Sequence, residues 1–195
     1  MKYLEAVPKS WKRTLILPAV SKDGTVYEDA FLIEEKTSVS YWGQLYEFLS
    51  PLAVKIKAYR TEANLCADIT VSGKAGTPCA RCLEPAETDF SGTLKYLFSL
   101  SADAEPQTKD EKNSSADGDE DVIFLDSWED EIDLSPQIWE VMLTSLPAVV
   151  LCREDCKGLC PECGANLNTE ICGCKKSSGD ARFEVLRQFV EEEKE

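Results

Sequence analysis

The sequence predicts an α+β protein in which a β-rich N-terminal half is joined by an acidic linker to a cysteine-rich C-terminal part. Three observations predict this class. Apolar and polar residues alternate through much of residues 52–100, acidic residues crowd residues 101–121, and six of the nine cysteines fall within residues 151–174. We expect residues 1–100 and 122–195 to form one compact unit, since 195 residues suffice for a substantial core.

The β-rich half is indicated by period-two alternation. Apolar and polar side chains alternate over residues 52–59 and 66–71, and a third such stretch follows at residues 89–100. Alternation is typical of antiparallel sheets with one face in the core and the other in water. We therefore expect an antiparallel sheet, with the lone Cys66 as a small core residue. Residues 1–75 carry no functional motif.

The acidic stretch at residues 101–121 is predicted to be a flexible linker. Residues 101–151 hold two basic and fourteen acidic side chains, and they account for most of the net charge of −15. The stretch lacks aromatic residues and has few apolar ones, so it cannot bury enough surface to offset the entropy of ordering. An alternative is a functional acidic arm that holds a basic partner or covers a nucleic-acid surface of its own protein.

The chain beyond the linker is predicted to add a short strand and two helices. Residues 122–125 form the strand. A helix then begins with Ser135 as N-cap and Pro136 at the first helical position, where its missing N–H costs nothing. Apolar residues at three- and four-residue steps predict an amphipathic C-terminal helix over residues 180–195. Between the helices lies the cysteine-rich segment, which we expect to form a zinc-ribbon-like module.

Eight of the nine cysteines occur as close pairs, and the chain has no histidine. Tetrahedral zinc binds four thiolates, and a short spacing lets one turn supply two of them. Gly164 strengthens this interpretation, because a positive φ there turns backbone N–H groups toward the sulfurs. The predicted metal ligands are Cys79, Cys82, Cys152, Cys156, Cys160, Cys163, Cys172 and Cys174.

The simplest division of these ligands is two zinc ions per chain. The last four cysteines would form a local site, and Cys152 and Cys156 would join Cys79 and Cys82 across the linker. The alternative is a single site drawn from the six C-terminal cysteines, with the first pair free. An iron–sulfur cluster is the competing cofactor, because it also uses four thiolates. Disulfides are disfavoured in the reducing cytoplasm.

Enzymatic activity is not expected. Without histidine there is no Ser-His-Asp or Cys-His arrangement and no three-histidine zinc site, and no phosphate-binding loop or dinucleotide fingerprint is present. The main rival function is a thiol–disulfide oxidoreductase or redox sensor at Cys79-Ala-Arg-Cys82. No signal peptide and no apolar stretch of bilayer length are evident, so we expect a cytoplasmic protein without membrane association.

Several of these features resemble one known family. The stretches "CARCLEP", "EDEIDLSPQIWEVMLTSLP", "LCREDCKGLCPECGANLN" and "ARFEVLRQF" resemble those of YceD, the large ribosomal RNA subunit accumulation proteins. The resemblance implies a ribosome biogenesis factor of bacteria and plastids, without catalytic activity, whose partner is a ribosomal protein, large-subunit rRNA precursor or assembly intermediate. Many relatives have proline where this chain has Ala181.

Partner contacts are predicted on the cysteine-rich module and the following helix. Basic side chains that could contact phosphates or a partner are Arg153, Lys157, Lys175, Lys176, Arg182 and Arg187. Because the same segment is also rich in acids and the isoelectric point is near 4.5, a basic ribosomal protein is at least as suitable a partner as RNA. No small-molecule substrate is inferred.

Overall fold

A computed structural model describes residues 3–61, 64–100, 120–128 and 131–174. These residues form nine β-strands and one α-helix. In chain order they are β1 (Thr14–Ile16), β2 (Tyr27–Ile33), β3 (Val39–Tyr41), β4 (Gln44–Phe48), β5 (Leu52–Arg60), β6 (Leu65–Pro78), β7 (Pro85–Leu100), β8 (Glu120–Leu125), β9 (Glu131–Asp133) and α1 (Ser135–Ser145). The predicted C-terminal helix and residues 101–119 of the predicted linker lie outside the described residues.

The long β6–β7 hairpin is the centre of the main sheet. It is paired without interruption from Leu65↔Phe98 to Pro78↔Pro85, and its six-residue loop carries Cys79 and Cys82. On the other edge of β6 lies β5, followed by β2, both antiparallel to their neighbours. The β-rich half predicted from alternation is thus confirmed. One pairing differs from the expected antiparallel sheet, because β8 lies parallel to β7. Parallel neighbours need a long crossover connection, and the stretch between β7 and β8 is long enough to provide one.

Strands β4 and β5 both pair with the same edge of β6. The pairing register changes between Phe48↔Ala75 and Ala53↔Ser72, because the segment from β4 to β5 has two more residues than the stretch of β6 opposite it. The ladder is therefore interrupted around Pro51. The Lys74 N–H donates to the Ser50 hydroxyl oxygen at this break (3.0 Å). Beyond it, the β3–β4 hairpin extends toward the end of β6 that carries the cysteine loop. The hairpin turn therefore lies at the same end of the sheet as that loop.

Helix α1 covers one face of the sheet across β6 and β7. Ile138, Val141 and Met142 on its inner face are fully buried. Burying three such side chains contributes on the order of 5 kcal/mol of transfer free energy. At the outer side, the Tyr96 hydroxyl donates to Glu140 Oε2 (3.0 Å). The helix fixes the position from which the chain enters the cysteine-rich segment.

The start of α1 differs by one residue from the prediction. Leu134 occupies the N-cap position and Ser135 is the first helical residue. The Ser135 N–H donates to Asp133 Oδ1 (2.9 Å), and the Ser135 hydroxyl oxygen accepts from the Arg13 N–H (2.9 Å). The serine therefore connects the helix to the N-terminal segment instead of capping the helix.

The N-terminal residues that carry no motif complete the core. β1 pairs antiparallel with β9 in a separate two-stranded sheet, and the Leu134 N–H donates to the Arg13 carbonyl (2.8 Å). Trp11 is buried against Trp139 of α1, with ring centroids 5.5 Å apart in an edge-on arrangement. This segment thus holds the helix from its outer side.

Cys66 does not lie in the core, and this prediction is wrong. Its strand neighbours Leu65 and Ala67 face α1 and are buried, so the alternation places Cys66 on the opposite face, where it is half-buried. It also lies outside both cysteine clusters described below.

Gly92 is required where the end of α1 approaches β7. A Cβ atom at this position would lie 2.7 Å from the Cβ atom of Ser145. We expect Gly92→Ala to lower the free energy of unfolding by about 1–3 kcal/mol, because the helix end must move away from the sheet. Urea unfolding measures this loss. The double variant Gly92→Ala/Ser145→Gly should recover part of it, and an unchanged midpoint for Gly92→Ala would contradict the close approach.

Candidate metal centres

The structure gathers eight cysteines into two sets of four. Within each set the four sulfur atoms all lie within 4.8 Å of one another. Cluster A consists of Cys79, Cys82, Cys152 and Cys156, and cluster B of Cys160, Cys163, Cys172 and Cys174. The grouping of the sulfurs matches the two-site division suggested above, with Cys79 and Cys82 beside Cys152 and Cys156.

Cluster A joins two parts of the chain that are distant in sequence. The β6–β7 loop supplies Cys79 and Cys82, and the segment after α1 supplies Cys152 and Cys156. The Cys79 and Cys156 sulfurs are 3.8 Å apart, and those of Cys82 and Cys152 are 3.5 Å apart. Four thiolates bound tetrahedrally at about 2.3 Å have their sulfurs about 3.8 Å from one another. The set is therefore spaced for one tetrahedral ion.

Backbone hydrogen bonds hold the two halves of cluster A together. The Ala80 N–H donates to the Val150 carbonyl (2.8 Å), and the Leu159 N–H donates to the Arg81 carbonyl (3.0 Å). The Arg81 guanidinium also donates to the Cys156 carbonyl through Nη1 (2.9 Å). The two loops thus align as an irregular ladder, and the sulfurs are positioned by the backbone.

Cluster B is built from one continuous segment. The Cys172 sulfur lies 3.3 Å from that of Cys160 and 3.5 Å from that of Cys163. The Cys174 N–H donates to the Cys172 sulfur (3.3 Å). Because Cys163 and Cys174 are exposed, whereas three of the four cysteines of cluster A are buried, cluster B is the more accessible of the two.

The first two cysteines of each cluster lie in equivalent loops. In each loop the N–H of the first cysteine, Cys79 or Cys160, donates to the carbonyl five residues later (2.8 Å in both). The N–H of the residue after the second cysteine donates back to the first cysteine's carbonyl, at 3.0 Å from Leu83 and 2.9 Å from Gly164. Both residues have positive φ, 62° and 74°. The expectation for Gly164 is confirmed, whereas the same conformation costs Leu83 about 1–2 kcal/mol.

The first cysteine of each loop has a lowered pKa, which favours its thiolate form. Burial raises the pKa of Cys79, but the backbone N–H groups of Cys82 and Arg81 hydrogen-bond the sulfur and bring the pKa down to about 6. The backbone N–H of Cys163 is the main cause that lowers the pKa of Cys160 to about 7. Since thiolates are the metal-binding form, these loops favour ligation near neutral pH.

One cysteine of each cluster, Cys152 in cluster A and Cys174 in cluster B, resists deprotonation. Desolvation, and then hydrogen bonding to the Cys82 thiol, raise the pKa of Cys152 to about 12. Hydrogen bonding to the Cys172 and Cys163 thiols raises the pKa of Cys174 to about 12. Each cluster can therefore hold four thiolates only around a cation that neutralises their mutual repulsion. All-sulfur donors in tetrahedral spacing suit zinc.

The structure adds one polar residue to cluster A that the sequence did not indicate. The Asn168 side-chain amide donates from Nδ2 to the Cys156 sulfur (3.3 Å), and its Oδ1 accepts from the Lys157 N–H (2.9 Å). The first of these contacts lowers the pKa of Cys156. Only the position of this asparagine between cysteine pairs could have suggested a role.

The predicted partner contacts are only partly described. Arg153 is exposed and lies 3.5 Å from the Asp155 carboxylate, and Lys157 is exposed beside cluster A. The other four residues predicted for this role, Lys175, Lys176, Arg182 and Arg187, lie outside the described residues. None of the described helices is long and apolar enough to cross a membrane.

The fold and the two clusters define a β-rich α+β protein with paired four-cysteine sites. A family model described as "Large ribosomal RNA subunit accumulation protein YceD" matches residues 67–190. The chain belongs to the YceD family, as its resemblance predicts.

Curated relatives come from plants and bacteria. The chain is similar to two chloroplastic YCED homolog 1 proteins, both named large ribosomal RNA subunit accumulation proteins. That of Zea mays is 31% identical over 65% of this chain and 49% of the relative, and that of Arabidopsis thaliana is 26% identical over 73% and 50%. Bacillus subtilis YlbN is 28% identical over 75% and 78%. The chain thus spans about half the length of the plant relatives. No solved structure matches.

Proposed function

We propose that this protein is a non-enzymatic ribosome biogenesis factor of the cytoplasm that supports accumulation of large-subunit rRNA. Membership of the YceD family and the names of its plant relatives support this role. The partner would be a ribosomal protein, a large-subunit rRNA precursor or an assembly intermediate.

Each cluster would hold one zinc ion that stabilises the binding surface. Cluster A carries this proposal, because its four sulfurs converge from loops about seventy residues apart, with backbone N–H groups directed at them. Zinc bound there supplies a four-thiolate crosslink. Such a site has no open coordination position for water or substrate, which supports a structural role and not a catalytic one.

The rival function, thiol–disulfide exchange at Cys79 and Cys82, has weaker support. Both side chains are buried, and two further thiols share their cluster. A substrate disulfide must reach the attacking thiolate, and this pair offers it no access. Reversible oxidation of the pair in the zinc-loaded protein would restore the redox function.

The proposal is tested by sedimentation of ribosomal particles. We expect the protein to co-sediment with large-subunit precursors at low salt and to be released as salt rises, because its charged contacts are screened. Depleting the protein should lower the amount of mature large-subunit rRNA relative to small-subunit rRNA. Sedimentation only as free protein, with normal rRNA levels after depletion, would contradict the proposal.

A further inference from the structure

The end of the sheet that carries the clusters displays large apolar side chains. Among the described residues, the four most exposed large apolar side chains are Ile171 (101%), Trp42 (84%), Leu83 (66%) and Val149 (65%). Leu83 and Ile171 are sequence neighbours of cluster cysteines, Cys82 and Cys172. Val149 precedes Val150, whose carbonyl accepts a hydrogen bond from the cysteine loop. Trp42 lies in the β3–β4 turn that reaches this end. Apolar exposure concentrated in this way is typical of an interaction surface.

One part of this surface is a groove of about 340 Å³ between β4 and the β6–β7 hairpin. Its apolar lining comes from Leu45, Leu49, Pro78, Leu83, Pro85 and Ala86. The carboxylates of Glu47 and Glu87 also line it, and Glu87 forms an ion pair with Lys74 (2.7 Å). A space of this size admits one or two large side chains. Glu47 and Glu87 both pair with Gly76, so the three residues share one face of the sheet. The neighbours of Gly76 on β6, Ala75 and Thr77, are buried on the other face, the one that α1 covers, so the groove lies on the face opposite α1.

Leu83 is present in this groove in spite of its backbone conformation. Its φ of 62° matches that of Gly164 in the equivalent loop of cluster B, and both make the same hydrogen bond. Glycine would therefore form the cluster A loop without strain. The leucine side chain is largely exposed and contributes little to the core, so the fold itself does not require it at this position.

Charge selects the chemistry of the partner. Residues 79–89 and 150–174 together hold three basic and seven acidic side chains, and each zinc-loaded four-thiolate centre adds a net charge of about −2. Two of the three basic side chains are already engaged, Arg81 with the Cys156 carbonyl and Arg153 with Asp155. This field repels phosphate backbones and attracts basic polypeptide.

We propose that the groove binds a short segment of a basic protein, with one apolar side chain against Leu83 and Leu49 and a flanking lysine or arginine near Glu47. The identity of the partner as a large-subunit ribosomal protein rests on the proposed ribosome biogenesis function, whereas its basic and apolar character rests on the groove. A second copy of this chain and RNA are the alternatives that the experiment separates.

The decisive variant is Leu83→Gly in the zinc-loaded full chain, because it removes the side chain and relieves the strain. The control Leu32→Ala truncates a leucine that is equally exposed (64%) on β2. The probes are RNA-free protein extracted from purified large ribosomal subunits, with the bound species identified and then titrated in pure form, and protein-free large-subunit rRNA. Size-exclusion chromatography reports self-association.

We expect wild type and Leu32→Ala to bind one or a few basic ribosomal proteins, and Leu83→Gly to bind about tenfold or more weakly with an unchanged or higher melting temperature. Equal binding by Leu83→Gly, binding of rRNA alone, or a dimer that Leu83→Gly dissociates would each overturn the groove proposal. If Leu83→Gly loses the basic partner but the wild-type protein co-sediments with large-subunit precursors, the biogenesis function stands whatever the outcome for the groove. If the wild-type protein does not co-sediment with these precursors, the biogenesis function itself is contradicted.

Discussion

The double variant Cys79→Ser/Cys82→Ser is expected to bind one zinc ion instead of two and to lose about 3 kcal/mol or more of unfolding free energy. Removing two of four thiolates abolishes tetrahedral binding in cluster A, and the binding free energy of a structural zinc ion contributes directly to folding. Elemental analysis and urea unfolding measure the two effects. Residues 150–174 should also become sensitive to protease, because cluster A anchors them to the β6–β7 loop.

Two control variants make this result specific. Cys160→Ser/Cys163→Ser should lose the other zinc ion but keep the contact between the β6–β7 loop and the segment after α1. Cys66→Val should retain both ions, since Cys66 lies outside the clusters. Retention of two zinc ions by Cys79→Ser/Cys82→Ser would show that cluster A is not a metal site and would return that pair to the redox hypothesis.

Two sets of four cysteines were the simplest division that the sequence offered, beside a single site with Cys79 and Cys82 free, because the cysteines occur as close pairs. Eight cysteines in four close pairs allow few tetrahedral arrangements, and Cys160 to Cys174 lie close enough in sequence to meet locally. The strands β5, β6 and β7 were predictable for a similar reason, because burial on one face imposes period-two alternation. In both cases the signal is local.

Contacts between distant segments left no such signal. The burial of Trp11 against Trp139 and the pairing of β1 with β9 require the complete fold, and they give the N-terminal residues a role that no motif shows. The parallel pairing of β8 likewise depends on where the crossover returns. Cys66 was misplaced because alternation identifies two faces of a strand without saying which one is covered.

The structure shows that cluster A is one of several connections between the two parts of the chain. The cysteine spacing suggested a zinc site that joins the two parts of the chain across the acidic stretch. The buried side chains Ile138, Val141 and Met142 of α1 and the pairing of β8 with β7 also join the two parts. Zinc loss is therefore expected to loosen the cysteine-rich segment without separating the helix from the sheet.

The strongest single-residue effect near the clusters is expected for Gly158→Ala. Gly158 has a φ of 74°, and a Cβ atom there would lie 3.1 Å from the Arg81 carbonyl oxygen. That oxygen already accepts a hydrogen bond from the Leu159 N–H, so it cannot move away without weakening the ladder between the loops. We expect a loss of about 2–3 kcal/mol of unfolding free energy and faster zinc release from cluster A to a chelator.

Gly164→Ala is the matched control, because Gly164 has the same φ of 74° but no atom within 4 Å of an added Cβ. It should show the backbone strain alone, about 1 kcal/mol, and leave zinc release from cluster A at the wild-type rate. The difference between the two variants then measures the contact between Gly158 and Arg81. Equal losses in both, with equal zinc release, would mean that the close approach of the two loops does not stabilise cluster A.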